Sequence, residues 1–117
     1  MCVISNVIYG DQILLKTRPN ILFIVFDQMR ADALIGPLAD TIELPNFTQF
    51  KNESVSFLNH FSVTSPCGPA RASLLTGQYA MNHRSVRNGT PLAHDTSNLA
   101  TSLNSIGIEP LLYGYTD

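Results

Sequence analysis

Runs of apolar residues along the chain predict three strands. Residues 21–26 are six consecutive apolar residues that end at Asp27, a pattern typical of a strand buried on both faces and therefore parallel to its neighbours. Residues 55–61 alternate in part between apolar and polar side chains and contain aromatic and β-branched residues, which favours a second strand. Residues 111–115 predict a third strand.

Helices are predicted between these strands. Pro45 stands at the first position of one helix, and residues 69–76 form a second helix that Gly77 closes in the left-handed conformation. Apolar residues that recur every three or four positions predict a third helix, capped at its start by Asp95 or Thr96. Residues 28–40 predict a loop or a short helix, and the polar segment 79–92 predicts a loop.

The order of these elements implies an α/β fold. Strands that alternate with helices are joined by right-handed crossovers and lie parallel in one sheet. A sheet of so few strands leaves its edges open to pairing with other chains. We therefore expect the 117 residues to be one part of a larger domain.

Composition and charge restrict the classes of function. A chain of 117 residues, of which 44% are apolar, can bury the core of about one domain. The net charge of −2 and the scattered Lys and Arg residues predict no binding to nucleic acid or to an anionic membrane. The longest apolar run is too short to span a bilayer, and the N-terminus has no signal-peptide pattern. We expect a cytoplasmic protein in which residues 1–17 are an N-terminal extension, either a leader or a short extra strand, without an assigned place in the fold.

The residues around Cys67 indicate a site for anions. Cys67 falls just ahead of the predicted helix 69–76, where free backbone N–H groups and the positive end of the helix dipole favour an anion. Arg71 lies about one turn further on and can point back towards Cys67. A cysteine in this position can also act directly as a thiolate nucleophile. Asp27 ends a predicted strand at the sheet edge where ligands bind, although an aspartate there can equally cap a turn.

Two segments resemble a known family. The sequence Cys-Gly-Pro-Ala-Arg at Cys67–Arg71, followed by Ala-Ser-Leu-Leu-Thr-Gly up to Gly77, resembles the signature of the sulfatases. The segment Arg18–Asp27 resembles the opening strand of the same family. The resemblance implies that residues 18–117 are the N-terminal fragment of a sulfatase-like catalytic domain, a three-layer α/β fold with a mostly parallel sheet.

The resemblance also implies a nucleophile that is made by modification. In sulfatases a formylglycine-generating enzyme oxidises the signature cysteine, here Cys67, to Cα-formylglycine. One hydroxyl of its hydrated aldehyde attacks sulfur or phosphorus, and the other helps to expel the product. By the same resemblance, Arg71 holds this diol. Asp27, Gln28 and the residue derived from Cys67 would bind a divalent metal ion, calcium or manganese.

Gln28 indicates one branch of the family. Most sulfatases carry a second aspartate at this position, and the Asp-Gln pair instead resembles the phosphonate monoester hydrolases. Similarity to that branch implies that Asn88 hydrogen-bonds a substrate oxygen and that Tyr115 and Thr116 line the same site. His83 lies in a polar stretch near the signature and is a candidate for a supporting role.

The predicted function is metal-dependent hydrolysis of small-molecule sulfate esters, as in arylsulfatases. Hydrolysis of phosphonate monoesters or phosphodiesters is the alternative within the family. A second alternative is an inactive fragment, because family members take further metal ligands and a leaving-group acid from a later part of the chain. A third is a hydrolase that uses Cys67 unmodified. For the full-length protein we expect a homo-oligomer.

Overall fold

The computed structural model describes residues 20–115 and the backbone of residues 3–4. These residues form two strands and five helices: β1 (Val3–Ile4), β2 (Ile24–Val25), α1 (Asp32–Ile35), α2 (Pro45–Asn52), α3 (Cys67–Thr76), α4 (Ala80–His83) and α5 (Leu99–Ser105). The chain divides into two compact units, Met1–His60 and Phe61–Asp117. No helix within the described ranges has the length and apolar character needed to cross a membrane.

The apolar run of residues 21–26 is largely exposed and forms only a short strand. β2 pairs with β1 in an antiparallel arrangement, with Val25 opposite Val3. The exposed fraction of these side chains ranges from 82% at Ile21 to 37% at Val25. The prediction of a parallel strand buried on both faces is therefore wrong for the described residues. Such a strand needs neighbours on both edges and a layer on each face, and the described part of the chain pairs it with two residues only.

The other two predicted strands are irregular. Residues 55–61 and 111–115 form no ladder within the described part of the chain. Their large apolar side chains are exposed, Phe57 by 79% and Tyr113 by 88%. A strand forms only where a neighbour offers its N–H and C=O groups, and the hydropathy of a segment does not identify that neighbour. The mostly parallel, three-layer sheet stays a prediction.

Two helix boundaries lie where the sequence predicts them. α2 begins at Pro45, and Gly77 follows α3 with a φ of 68°, in the left-handed region. α3 begins two residues earlier than predicted, so Cys67 is its first residue rather than a residue ahead of it. The reason is that the Pro66 carbonyl already accepts a helical hydrogen bond from the Ala70 N–H, at 3.0 Å.

Two further predictions need correction. α4 forms within 79–92, a segment predicted as loop, because a single helical turn is too short to show a periodic pattern. α5 begins after Asn98 rather than after Asp95 or Thr96. The Asn98 side chain accepts from the Thr101 N–H at 3.0 Å, and the Asn98 N–H donates to the Thr101 hydroxyl at 2.9 Å. This reciprocal capping box decides where the helix starts.

The buried residues of the second unit lie on α3 and in the segment 83–85, and α3 packs against α4 and α5. Pro69 is fully enclosed, and three of the buried side chains are polar. The buried residues described in this unit are Pro69, Ala72, Ser73, His83 and Ser85. Its core is therefore small and partly polar, and it includes residues of the helix that begins at Cys67.

Candidate active site

Cys67 carries a free, half-buried thiol at the start of α3. The first turn of a helix presents backbone N–H groups that have no partner within the helix. Pro66, the N-cap residue, makes no side-chain hydrogen bond to them. The N–H groups beside Cys67 are therefore open to a partner from elsewhere in the chain or to a ligand.

Asn88 is that partner, 20 residues further along the chain. Its Oδ1 accepts from the Gly68 N–H at 2.9 Å, and its Nδ2 donates to Cys67 Sγ at 3.2 Å. A Cβ on Gly68 would lie 3.0 Å from Asn88 Oδ1 and 3.3 Å from Asn88 Cα. The glycine at position 68 therefore leaves the space in which the amide reaches the thiol.

Arg71 places a positive charge one turn beyond Cys67 on the same helix. Its guanidinium carbon is 4.6 Å from the centroid of the Tyr115 ring, which is within the range of a cation–π interaction. Tyr115 is 63% exposed. At an exposed site such a contact contributes about 0.5–1 kcal/mol, enough to favour one orientation of the guanidinium.

Asp27 and Gln28 lie in the first unit, in an exposed turn after β2. Gln28 has a φ of 51°, which residues other than glycine rarely adopt. The carboxylate and amide oxygens of this turn suit a hard divalent cation, which takes about six to eight oxygen ligands in the case of calcium. Within residues 20–115 there is no group of three or more His, Cys, Asp or Glu side chains that could hold a metal ion. The turn therefore fits part of a metal site.

The predicted site residues thus fall into three sets. The first set is four residues of the second unit that meet in pairs: Cys67 with Asn88, and Arg71 with Tyr115. The two predicted metal ligands of the first unit are adjacent in the chain. Thr116 lies outside the described residues. The substrate and metal roles of all these residues stay predictions.

A chain of buried hydrogen bonds extends from α3 beyond these residues. Ser73 Oγ lies 2.9 Å from His83 Nε2, and the Ser85 N–H donates to His83 Nδ1 at 3.1 Å. Ser85 Oγ then donates to the Thr90 carbonyl at 2.8 Å. Sequence reasoning gave His83 a supporting role and missed both serines. The available signal was Ser73 itself, a polar residue within a short run of good helix formers.

The chain is similar in sequence to known proteins. The sequence model of the family Sulfatase matches residues 19–117. The multifunctional alkaline phosphatase superfamily protein PehA of Trinickia caryophylli is 46% identical over 105 residues, which cover 86% of this chain and 20% of that protein. An arylsulfatase of Clostridium perfringens is 38% identical over 66 residues, which cover 56% of this chain and 14% of that protein.

A solved structure is also similar. The phosphonate monoester hydrolase SpPMH from Silicibacter pomeroyi matches with a TM-score of 0.74 and 65% sequence identity, over 78% of this chain and 18% of that protein. The chain therefore spans about a fifth of the length of PehA and of SpPMH.

Proposed function

This chain belongs to the sulfatase family, and we propose that it supplies the nucleophile of a hydrolase that cleaves phosphonate monoesters and sulfate esters. One observation carries the proposal: the Asn88 amide meets the Cys67 thiol at a helix start, one turn from Arg71. Transfer of a phosphoryl or sulfuryl group needs a nucleophile, a positive charge near the transferred oxygens and oriented donors. These three residues provide one of each.

Cys67 is the proposed source of the nucleophile, after oxidation to formylglycine. It stands where helix N–H groups favour negative charge. Arg71 would offset the charge that develops on the oxygens of the transferred group. Asn88 would donate a hydrogen bond without adding a charge.

We propose that Asp27 and Gln28 are part of the ligand set of a divalent cation. When bound, it would polarise the substrate oxygens as a Lewis acid. The amide of Gln28 contributes an oxygen without a second negative charge.

Phosphonate monoesters are the favoured substrate class. The identity to SpPMH is 65%, against 38% to the arylsulfatase. Sulfate monoesters and phosphonate monoesters both present a tetrahedral centre with a single negative charge at neutral pH. The same residues can therefore act on either, which supports aryl sulfates as a second substrate class.

A chimera tests this function. The segment of SpPMH that matches this chain is replaced by the chain, and the chimera is produced together with a formylglycine-generating enzyme. We expect a higher kcat/KM for an aryl phosphonate monoester than for an aryl sulfate. Cys67→Ala is expected to lower kcat/KM at least about thousandfold, whereas Cys2→Ala, at the other cysteine, is the matched control.

Mass spectrometry of the Cys67 peptide separates the modified from the unmodified nucleophile. We expect the mass of the aldehyde or its hydrate in place of the thiol. Turnover by a protein whose Cys67 thiol is intact would instead favour a hydrolase that uses the unmodified cysteine. A higher kcat/KM for the aryl sulfate would make sulfate esters the favoured substrate class. The 117 residues alone are expected to show little or no turnover; metal-dependent turnover by this chain would contradict that.

A further inference from the structure

We propose that His83 is a positioning residue that holds Asn88 against Cys67 and Gly68. The proposed hydrolysis does not use His83, yet its side chain is only 6% exposed and both of its ring nitrogens are hydrogen-bonded. A buried imidazole with two partners fixes the distance and direction between them. Here the partners belong to α3 and to the loop that carries Asn88.

The hydrogen bonds define the tautomer of His83. The Ser85 backbone N–H can only donate, so His83 Nδ1, at 3.1 Å, accepts and carries no proton. The ring proton of the neutral imidazole therefore lies on Nε2 and is donated to Ser73 Oγ, at 2.9 Å. In this form His83 joins the backbone at Ser85 to α3.

Ser85 begins the loop in which Asn88 lies. Ser85 is 3% exposed, and its Oγ donates to the Thr90 carbonyl at 2.8 Å. The Thr90 N–H donates to the Arg87 carbonyl at 3.1 Å, which closes a turn around Asn88. Asn88 itself is exposed, so the position of its amide depends on this loop rather than on packing around its side chain.

The Gly68 amide reports directly on the position of Asn88. It lies in the first turn of α3, and its acceptor is Asn88 Oδ1 at 2.9 Å. Movement of the loop would expose this N–H to solvent and accelerate its hydrogen exchange. This contact is independent of catalysis; its effect on turnover rests on the proposed function.

Two substitutions in the 117-residue chain separate the two ring nitrogens. His83→Asn retains an acceptor near the place of Nδ1, and His83→Gln retains a donor near the place of Nε2. Because each variant breaks one of the two hydrogen bonds that join the loop to α3, we expect Gly68 exchange about five- to tenfold faster in both, the cost of one lost hydrogen bond. The Gly77 amide, bonded to the Ser73 carbonyl at the other end of α3, is the control and should not change.

Several results would overturn the proposal. Gly68 exchange that stays at the wild-type rate in either variant, or an equal acceleration at Gly77, would leave His83 a merely structural role. If neither variant folds, the wild-type chain decides, since NMR of the ring nitrogens should show a protonated Nε2 and an unprotonated Nδ1. The reverse tautomer would contradict the inference.

The chimera with SpPMH distinguishes the two proposals. There we expect both variants to lower kcat for the phosphonate monoester. If the exchange result holds while the chimera has no activity, the proposed function fails and the positioning role stands. If the chimera is active and neither variant changes Gly68 exchange or kcat, the positioning role fails alone.

Discussion

The two units differ in how they present their candidate functional residues. In the second unit, Asn88 contacts Cys67 and Gly68 through hydrogen bonds formed entirely within that unit. In the first unit, Asp27 and Gln28 follow an apolar run whose side chains are 37% to 82% exposed. The segment around Cys67 is thus assembled by contacts within its own unit, whereas the turn of Asp27 and Gln28 follows an exposed strand.

The physical reason lies in backbone hydrogen bonding. A helix satisfies most of its own N–H and C=O groups, so α3 needs neighbours only for its apolar side and its first turn. A strand satisfies none by itself and becomes stable through neighbours in a sheet. A site at a strand end is therefore formed only when the sheet is formed, and among the described residues the large apolar side chains of 21–26, 55–61 and 111–115 are exposed.

The largest effect is expected when an aspartate is introduced into each unit in turn, which tests this difference between the units. Ala72→Asp places an unpaired charge at a position that is 7% exposed on α3, so it should destabilise the second unit by about 3 kcal/mol or more. Ile24→Asp, at 38% exposure on β2, should cost less than about 1 kcal/mol. Chemical denaturation followed by hydrogen exchange measures both. Equal costs would show that the units do not differ.

An intermediate effect is expected at the start of α3. In Gly68→Ala the new Cβ would meet Asn88 Oδ1 at 3.0 Å, so we expect the amide to move away at a cost of about 1 kcal/mol. Gly77→Ala is the matched control. A Cβ at this position would meet nothing within 4 Å, but the φ of 68° costs an alanine about 1 kcal/mol, a comparable amount. The NMR signals of the Asn88 side-chain amide should shift in the first variant only. A shift in both would show that Asn88 responds to the helix as a whole.

The smallest effect is expected at an ion pair in the first unit. Arg30 Nε donates to Asp32 Oδ1 at 2.9 Å, and this hydrogen bond holds the pKa of the Asp32 carboxyl below its ordinary value. A carboxyl whose pKa is lowered in the folded state stabilises the fold at pH values above its ordinary pKa. This contribution is lost as the pH falls through the folded-state pKa. Because the pair lies at the surface, its contribution is small.

Asp32→Asn measures that contribution. At neutral pH we expect the variant to unfold at a slightly lower temperature than the wild type. Below the pKa of Asp32 the two should coincide, since the wild-type carboxyl is then neutral as well. A difference that persists in acid would assign the effect to the hydrogen bonds of α1 rather than to the charge.

Local signals in the sequence were sufficient for part of the fold and of the site. Pro45 and Gly77 mark helix ends because their backbone restrictions act within one turn. The signature identified Cys67 and Arg71 for the same reason, since their spacing along one helix is a local property. By contrast, the capping box at Asn98 took precedence over Asp95 and Thr96, because reciprocal hydrogen bonds are stronger than a single cap.

The sequence by itself thus determined the family, the helix that begins near Cys67 and the positive charge one turn later. Only the tertiary structure decided that Asn88 caps this helix from 20 residues away and that His83 is buried between α3 and the loop. It also decided that the apolar run before Asp27 is exposed. Capping and spacing depend on neighbours in the chain, whereas burial and long-range hydrogen bonds depend on which segments meet in space.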